Sequence, residues 1–274
     1  MIVSAAIMPH GDVIPALAGP HARRTLATHN AMSEAARRLH AALPETIVVA
    51  TPHGVRVEGS VSIGFTERAA GSLSGYGGAG VSLDLPVDIP LAAQIAAEAD
   101  ALGLPVARCV FGSTGGPQSR LPLDWGALVP LWYCSGQGLR RPKVVVIVPP
   151  RSVDDHDLVD FGRAVARAAR LAGRRTAFVA SCDWAHAHAA DGPYGFHADA
   201  ARFDAEVKEI IRSGELTRLA HMDPAYLENA KPDGNWQSLV LAGALEGGAF
   251  EIDLLSYERP TYFGMLVATF TRVD

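Results

Sequence analysis

Ile2-Val3-Ser4-Ala5-Ala6-Ile7-Met8, followed at once by Pro9-His10-Gly11, is the stretch on which the reading of this chain turns. Its first seven residues are nearly all apolar, the pattern of a strand buried on both faces. Proline cannot continue a ladder and glycine permits a sharp change of direction, so a histidine is held where the strand stops. The design recurs at Thr46-Ile47-Val48-Val49-Ala50-Thr51, which runs into Pro52-His53-Gly54. Between the two, residues 20–43 carry alanine, leucine and arginine at helical spacing, and Pro44 closes them. Two apolar strands joined by a helix are the βαβ signature of a mostly parallel sheet, and hence of an α/β fold. In such sheets ligands bind beyond the carboxyl ends of the strands, where both histidines are delivered.

The same alternation continues outward. Residues 55–65 alternate as a strand pair, which makes the sheet mixed. Residues 69–80, Ala-Ala-Gly-Ser-Leu-Ser-Gly-Tyr-Gly-Gly-Ala-Gly, read as a mobile loop able to close over a site around Tyr76. A helix is predicted over 89–102, a strand over 106–110 and turns over 111–123. Strands are then expected at Lys143–Val148 and Thr176–Ser181, around a helix over 153–172. Helices at Ala198–Ser213, Pro224–Ala230 and Asn235–Leu245 and strands over 250–256 and 261–270 complete the chain. No composition shift divides it, so residues 1–274 are expected to form a single domain.

With 49% hydrophobic and 19% charged residues the chain can bury a sizeable core, which excludes disorder. A net charge of -5, with no basic run, leaves no general attraction for nucleic acid. Three cysteines without CxxC spacing fit a reducing compartment. There is no basic, apolar leader and no run of the roughly 18 apolar residues that a membrane span needs. A cytoplasmic protein without membrane contact is the expectation.

Of the ten histidines, His21, His29, His40 and His156 lie in or beside helical segments among polar neighbours and read as structural. His10, His53 and His186 differ, because each follows a strand at what should be the same edge. Two imidazoles and one carboxylate, with positions left open, suit a non-haem Fe(II) oxygenase; the same set also serves Zn2+. For the carboxylate, Asp233 comes first, in a break held by Pro232 just before a buried helix. Glu228 comes second, on a predicted helix, and Asp183 reads rather as a group that orients a ligand. His186 is then free to move protons near neutral pH, with His188 as the competing candidate.

The chain resembles the class III extradiol ring-cleavage dioxygenases, of the protocatechuate 4,5-dioxygenase catalytic-subunit type. The likeness rests on Met8-Pro9-His10, Thr51-Pro52-His53, Asp124-Trp125-Gly126 with Val129-Pro130-Leu131, Asp183-Trp184-Ala185-His186, and Gly243-Ala244-Leu245, in that order. It implies a three-layer α/β/α sandwich around a mixed sheet. It also implies Fe(II) held by His10, His53 and a carboxylate near the start of the last long helix, with His186 as acid and base. A catechol or 2-aminophenol would be opened with O2 to a muconic semialdehyde.

This chain departs from the family in two places. Trp125 stands where members often have histidine, so an aromatic group replaces a polar one facing the substrate. Asp233 stands where the third ligand is usually glutamate. The expected partners are a small aromatic substrate and O2, with a homo-oligomeric assembly and room for a small companion subunit. The rival readings are a non-catalytic binding or signalling protein of the same fold and a zinc-dependent enzyme.

Overall fold

The computed structural model describes residues 1–19, 22–78, 80–135 and 141–273. In chain order the strands are β1 (Ile2–Met8), β2 (Thr46–Ala50), β3 (Val61–Gly64), β4 (Arg68–Ser72), β5 (Ser82–Pro86), β6 (Val106–Cys109), β7 (Arg120–Pro122), β8 (Lys143–Val148), β9 (Thr176–Ser181), β10 (Phe250–Glu258) and β11 (Met265–Arg272). The helices are α1 (Pro15–Ala18), α2 (Leu26–Ala41), α3 (Ile89–Ala101), α4 (Trp125–Ser135), α5 (Asp155–Leu171), α6 (Ala198–Ser213), α7 (Pro224–Ala230) and α8 (Asn235–Leu245).

An eight-stranded sheet runs in the order β10-β11-β1-β9-β2-β8-β3-β6. Its centre, β1-β9-β2-β8, is parallel throughout, while β11 joins β1, and β3 joins β8, in the antiparallel sense. The pleat splits each central strand between two cores, which is why these strands read as unbroken apolar runs. Val48, Ala50, Phe178 and Ala180 pack toward α3, α5, α6 and α8. Their neighbours Ile47, Val49, Ala177 and Val179 face α2, α4 and a small sheet ordered β5-β4-β7. The result is the expected three-layer α/β/α sandwich around a mixed sheet.

The main correction lies in residues 69–80. The stretch read as a mobile loop contains most of β4, which pairs with β5 and β7, and a 3-10 turn at Ser74–Tyr76. Gly71 explains the misreading. A Cβ there would lie 2.6 Å from the carbonyl oxygen of Leu123 and 2.9 Å from Leu128, so the glycine serves close packing rather than mobility. The strand pair over 55–65 reduces to β3 and a single bridge, Val57 to Ser60. Within the predicted turns of 111–123 lies β7, and the last strand begins at Met265 instead of residue 261. The crossover helix starts at Leu26, and His21 lies outside the described residues. All three cysteines are free, and among the described residues no helix is long and apolar enough to cross a membrane.

Candidate metal centre

Three adjacent parallel strands, β1, β9 and β2, end side by side, and each continues into a polar residue at the same edge. After Met8 the chain breaks at Pro9 and presents His10. The Cys182 N–H donates to the Met8 carbonyl at 2.9 Å, so the tail of β9 stays alongside and carries Asp183 next to His10. The His10 N–H then donates to Asp183 Oδ1 at 3.2 Å. Beyond β2, Thr51 donates its hydroxyl to Asp124 Oδ1 at 3.0 Å, and the same oxygen accepts the Ala127 N–H at 3.0 Å. Asp124 therefore caps the first turn of α4 and ties it to the end of β2. That seats Trp125 on the His53 ring, with centroids 4.3 Å apart.

The fourth element is the entry to α8. A Cβ on Gly234 would lie 2.6 Å from the Cys182 side chain, so only glycine lets this turn press against the tail of β9. Asp233, one residue earlier, is thereby pushed into the same space, and its Oδ1 accepts the Asp183 N–H at 3.1 Å. Arg151 donates to the Pro232 carbonyl at 3.1 Å and fixes the turn from outside.

The donors converge. Asp233 Oδ2 lies 3.4 Å from His10 Nε2 and 3.9 Å from His53 Nε2, and ligand atoms of the three residues all fall within 4.8 Å of one another. Atoms bound at about 2.1 Å to one ion can be no more than about 4.2 Å apart, which both of these pairs satisfy. His10 Nδ1 is 2.9 Å from Ser181 Oγ, and the Ser181 hydroxyl donates to the Gly126 carbonyl. With its proton committed there, Ser181 accepts from His10 Nδ1–H, and Nε2 is the nitrogen left facing the carboxylates.

Burial makes the charge balance matter. His10, Asp183 and Asp233 are 4%, 3% and 8% exposed, and buried charges must be paired or coordinate a metal. Burial alone would depress His10, but Asp183 and then Asp233 outweigh it and raise its pKa to about 9. His53 is lowered to about 4 by burial and by the positive charge on His10. Burial lifts Asp183, whereas for Asp233 the attraction of His10 overcomes burial and holds the carboxyl below its usual range. An ionised carboxylate and an imidazole kept neutral are the forms that ligate. The donor set therefore fits a divalent cation.

His186 stands across a cavity of about 260 Å³ that it lines with His10, His53, Asp183, Asp233, Trp125, Tyr194, Tyr262 and Phe263. Its Nδ1 lies 3.0 Å from the Lys231 carbonyl, so that nitrogen carries the proton and Nε2 keeps its lone pair. The ring stacks on Phe263 at 5.3 Å. Two residues on, His188 is elsewhere: its Nε2 is 2.8 Å from Asp204 and its Nδ1 2.9 Å from Arg259. Glu228 is exposed and paired with Lys231. Tyr76 lines a neighbouring cavity. His29 and His40 bond Tyr133 and the Cys134 carbonyl instead. Sequence reasoning missed Ser181, Tyr262 and Phe263. The first stood in view at the end of β9, but nothing local marks its partner, Gly126.

A parallel sheet that delivers two histidines from strand ends to a cavity where they meet an aspartate from the turn before α8 defines a candidate non-haem metal protein. The chain belongs to the family of the catalytic LigB subunit of aromatic ring-opening dioxygenase, whose family model matches residues 4–268. Dioxygenases of that family are in general metal-dependent and act on aromatic substrates with O2. A protein of Clostridium acetobutylicum, CA_C1420, is 26% identical over 253 residues, which are 92% of this chain and 54% of that protein. The chain thus spans about half the length of the curated relative it matches. In fold it is similar to the uncharacterised protein JW3007 of Escherichia coli K12, with a TM-score of 0.59 at 17% identity, over 97% of this chain and 99% of that one.

Proposed function

We propose that this chain is an Fe(II)-dependent extradiol dioxygenase that opens the ring of a catechol or 2-aminophenol with O2. In this reading residues 1–274 form one catalytic domain, with His10, His53 and Asp233 as metal ligands and His186 as acid and base. The observation that carries it is the meeting of three ligand atoms within 4.8 Å, beside a histidine whose second nitrogen is already satisfied. Two imidazoles and one carboxylate occupy one side of an ion and leave the other side to substrates. When bound, the ion would hold the diol and O2 together and couple them electronically.

The chain's own residues have definite tasks. Ser181 fixes His10 in the tautomer that presents Nε2. The Lys231 carbonyl does the same for His186, so that Nε2 can take the diol proton and later return it. Asp183, hydrogen-bonded to the His10 N–H and through its own N–H to Asp233, keeps these two ligands at fixed separation. Trp125, Tyr262 and Phe263 supply flat apolar walls for an aromatic ring.

Metal analysis of anaerobically purified protein, followed by oxygen uptake on adding catechol, tests the reading. The expected result is iron near one equivalent, O2 consumption and a new yellow chromophore. Zinc alone with no oxygen uptake, or no bound metal, overturns it. His186→Ala is expected to keep its iron while turnover falls about 10²–10⁴-fold; loss of iron as well would remove His186 from the acid and base role.

A further inference from the structure

Beside the metal cavity lies a second one of about 210 Å³, and His10, Asp12 and Trp125 line both. Neither alone reaches the roughly 300 Å³ at the small end of ligand sites; together they fall within that range. The second cavity differs in character. Its remaining lining is Leu17, Leu73, Tyr76 and Val129. Leu73 and Val129 are buried in the core against the small sheet, while the Tyr76 ring stands at the rim, 74% exposed.

We propose that this cavity is a substrate subsite that takes an uncharged, apolar ring substituent of an aromatic diol seated at the metal centre. The inference rests on the function proposed above and adds the class of diol. Charge decides against a carboxylated substrate. Among the described residues no lysine or arginine lines either cavity, whereas Asp183 and Asp233 line the metal cavity. Two arginines that act electrostatically on His53 and Asp233 are engaged elsewhere: Arg56 donates to the Pro52 carbonyl at 2.8 Å, and Arg151 donates to Pro232 and lies over Trp236, 4.5 Å from its ring. The charge of a divalent ion is already matched by Asp183 and Asp233, so an added carboxylate would meet carboxylates in a site of low dielectric. An alkyl chain leaving the ring past Trp125 would instead replace water on leucine and valine. Trp125 is then the boundary between the two cavities, and the aromatic residue at that position becomes part of substrate selection.

Anaerobic titration of the iron-loaded protein, read by tryptophan fluorescence, tests this with catechol, its 3- and 4-alkyl series from methyl to butyl, and 3,4-dihydroxybenzoate. In one of the two series each added methylene is expected to raise affinity about fourfold, the transfer value of a buried methylene. The carboxylated diol is expected to bind at least tenfold more weakly than the ethyl compound. Leu17→Arg, on a half-exposed position of the short α1, should raise the relative affinity for 3,4-dihydroxybenzoate by about tenfold, and Tyr76→Ala should flatten the alkyl series. A flat series in the unaltered protein, or preference for the carboxylated diol, overturns the subsite while leaving the proposed reaction standing. Failure of every diol to bind or to be opened by O2 overturns both.

Discussion

Two clusters of histidine and aspartate hang from the same seven residues after β9, and they are built to opposite ends. In one, His188 Nε2 donates to Asp204 at 2.8 Å, Tyr257 donates to the same oxygen at 2.6 Å, and the Ala185 N–H satisfies the other at 3.0 Å. Arg259 closes the remaining histidine nitrogen at 2.9 Å. Both nitrogens of His188 and both oxygens of Asp204 thus have partners inside the protein. In the other cluster, Ser181 engages one nitrogen of His10, and the remaining donors of His10, His53 and Asp233 face one another across a cavity. The residue types are the same in both. What separates a structural clasp from a candidate metal centre is whether the ligand atoms are closed off by hydrogen-bond partners within the fold or converge on a cavity.

The same substitution in each cluster should therefore give opposite results, and this is the largest expected contrast. Asp233→Asn keeps an oxygen for the Asp183 N–H but removes the anionic group proposed as a ligand. Metal content is expected to fall below about a tenth of an equivalent by elemental analysis, with the cooperative unfolding transition retained. Asp204→Asn places an amide where Tyr257 and His188 both require an acceptor. Denaturant unfolding is expected to show a loss of about 3 kcal/mol, the scale for a broken buried charged network. Metal loss from Asp204→Asn with unchanged stability would make the sealed cluster part of the metal site and erase the distinction.

How much of this contrast was legible in the sequence depends on how far each partner lies along the chain. His10 and His53 could be read because an apolar run followed by Pro-His-Gly marks a strand end locally. Asp233 could be read because Lys231-Pro232-Asp233-Gly234 interrupts two helices. His186 and His188 looked equivalent, since the feature that separates them is Asp204 on α6 and Tyr257 on β10, which spacing does not reveal. Glu228 looked eligible for the same reason, though its helix turns it to solvent. In 69–80 the glycines carried two meanings, flexibility and close approach, and the Leu123 carbonyl that decides between them lies far along the chain.

A smaller effect sharpens the open cluster from within. Ser181→Ala removes the acceptor for His10 Nδ1–H without touching any ligand atom. The imidazole then loses both its orientation and its preferred tautomer, and metal affinity measured by competition with a chelator is expected to drop 10–100-fold. An unchanged affinity would show that Pro9 and Asp183 suffice to hold the ring.

The remaining expected effect is one of pH, read at the open cluster in protein stripped of metal. His10 is raised from 6.5 to about 9 by Asp183 and Asp233 against the cost of burial. A folded-state pKa above the unfolded value means that the folded protein holds this proton more tightly. The resulting stabilisation is complete below pH 6.5 and is lost as pH rises through about 9. His53, lowered to about 4, acts only on the acid side, destabilising the fold as pH falls from 6.5 toward 4. Burial lowers the N-terminal amine from 8.0 to about 6, which adds stability as pH rises to 8, so the decline in melting temperature of the metal-free protein is expected between pH 8 and 9, and His10→Gln should remove that slope. Added metal should reverse it, because the ion competes with the same proton for Nε2 and binds more tightly as pH rises. A slope that persists in His10→Gln would assign the titration to another group and leave the two carboxylates without their proposed counter-charge.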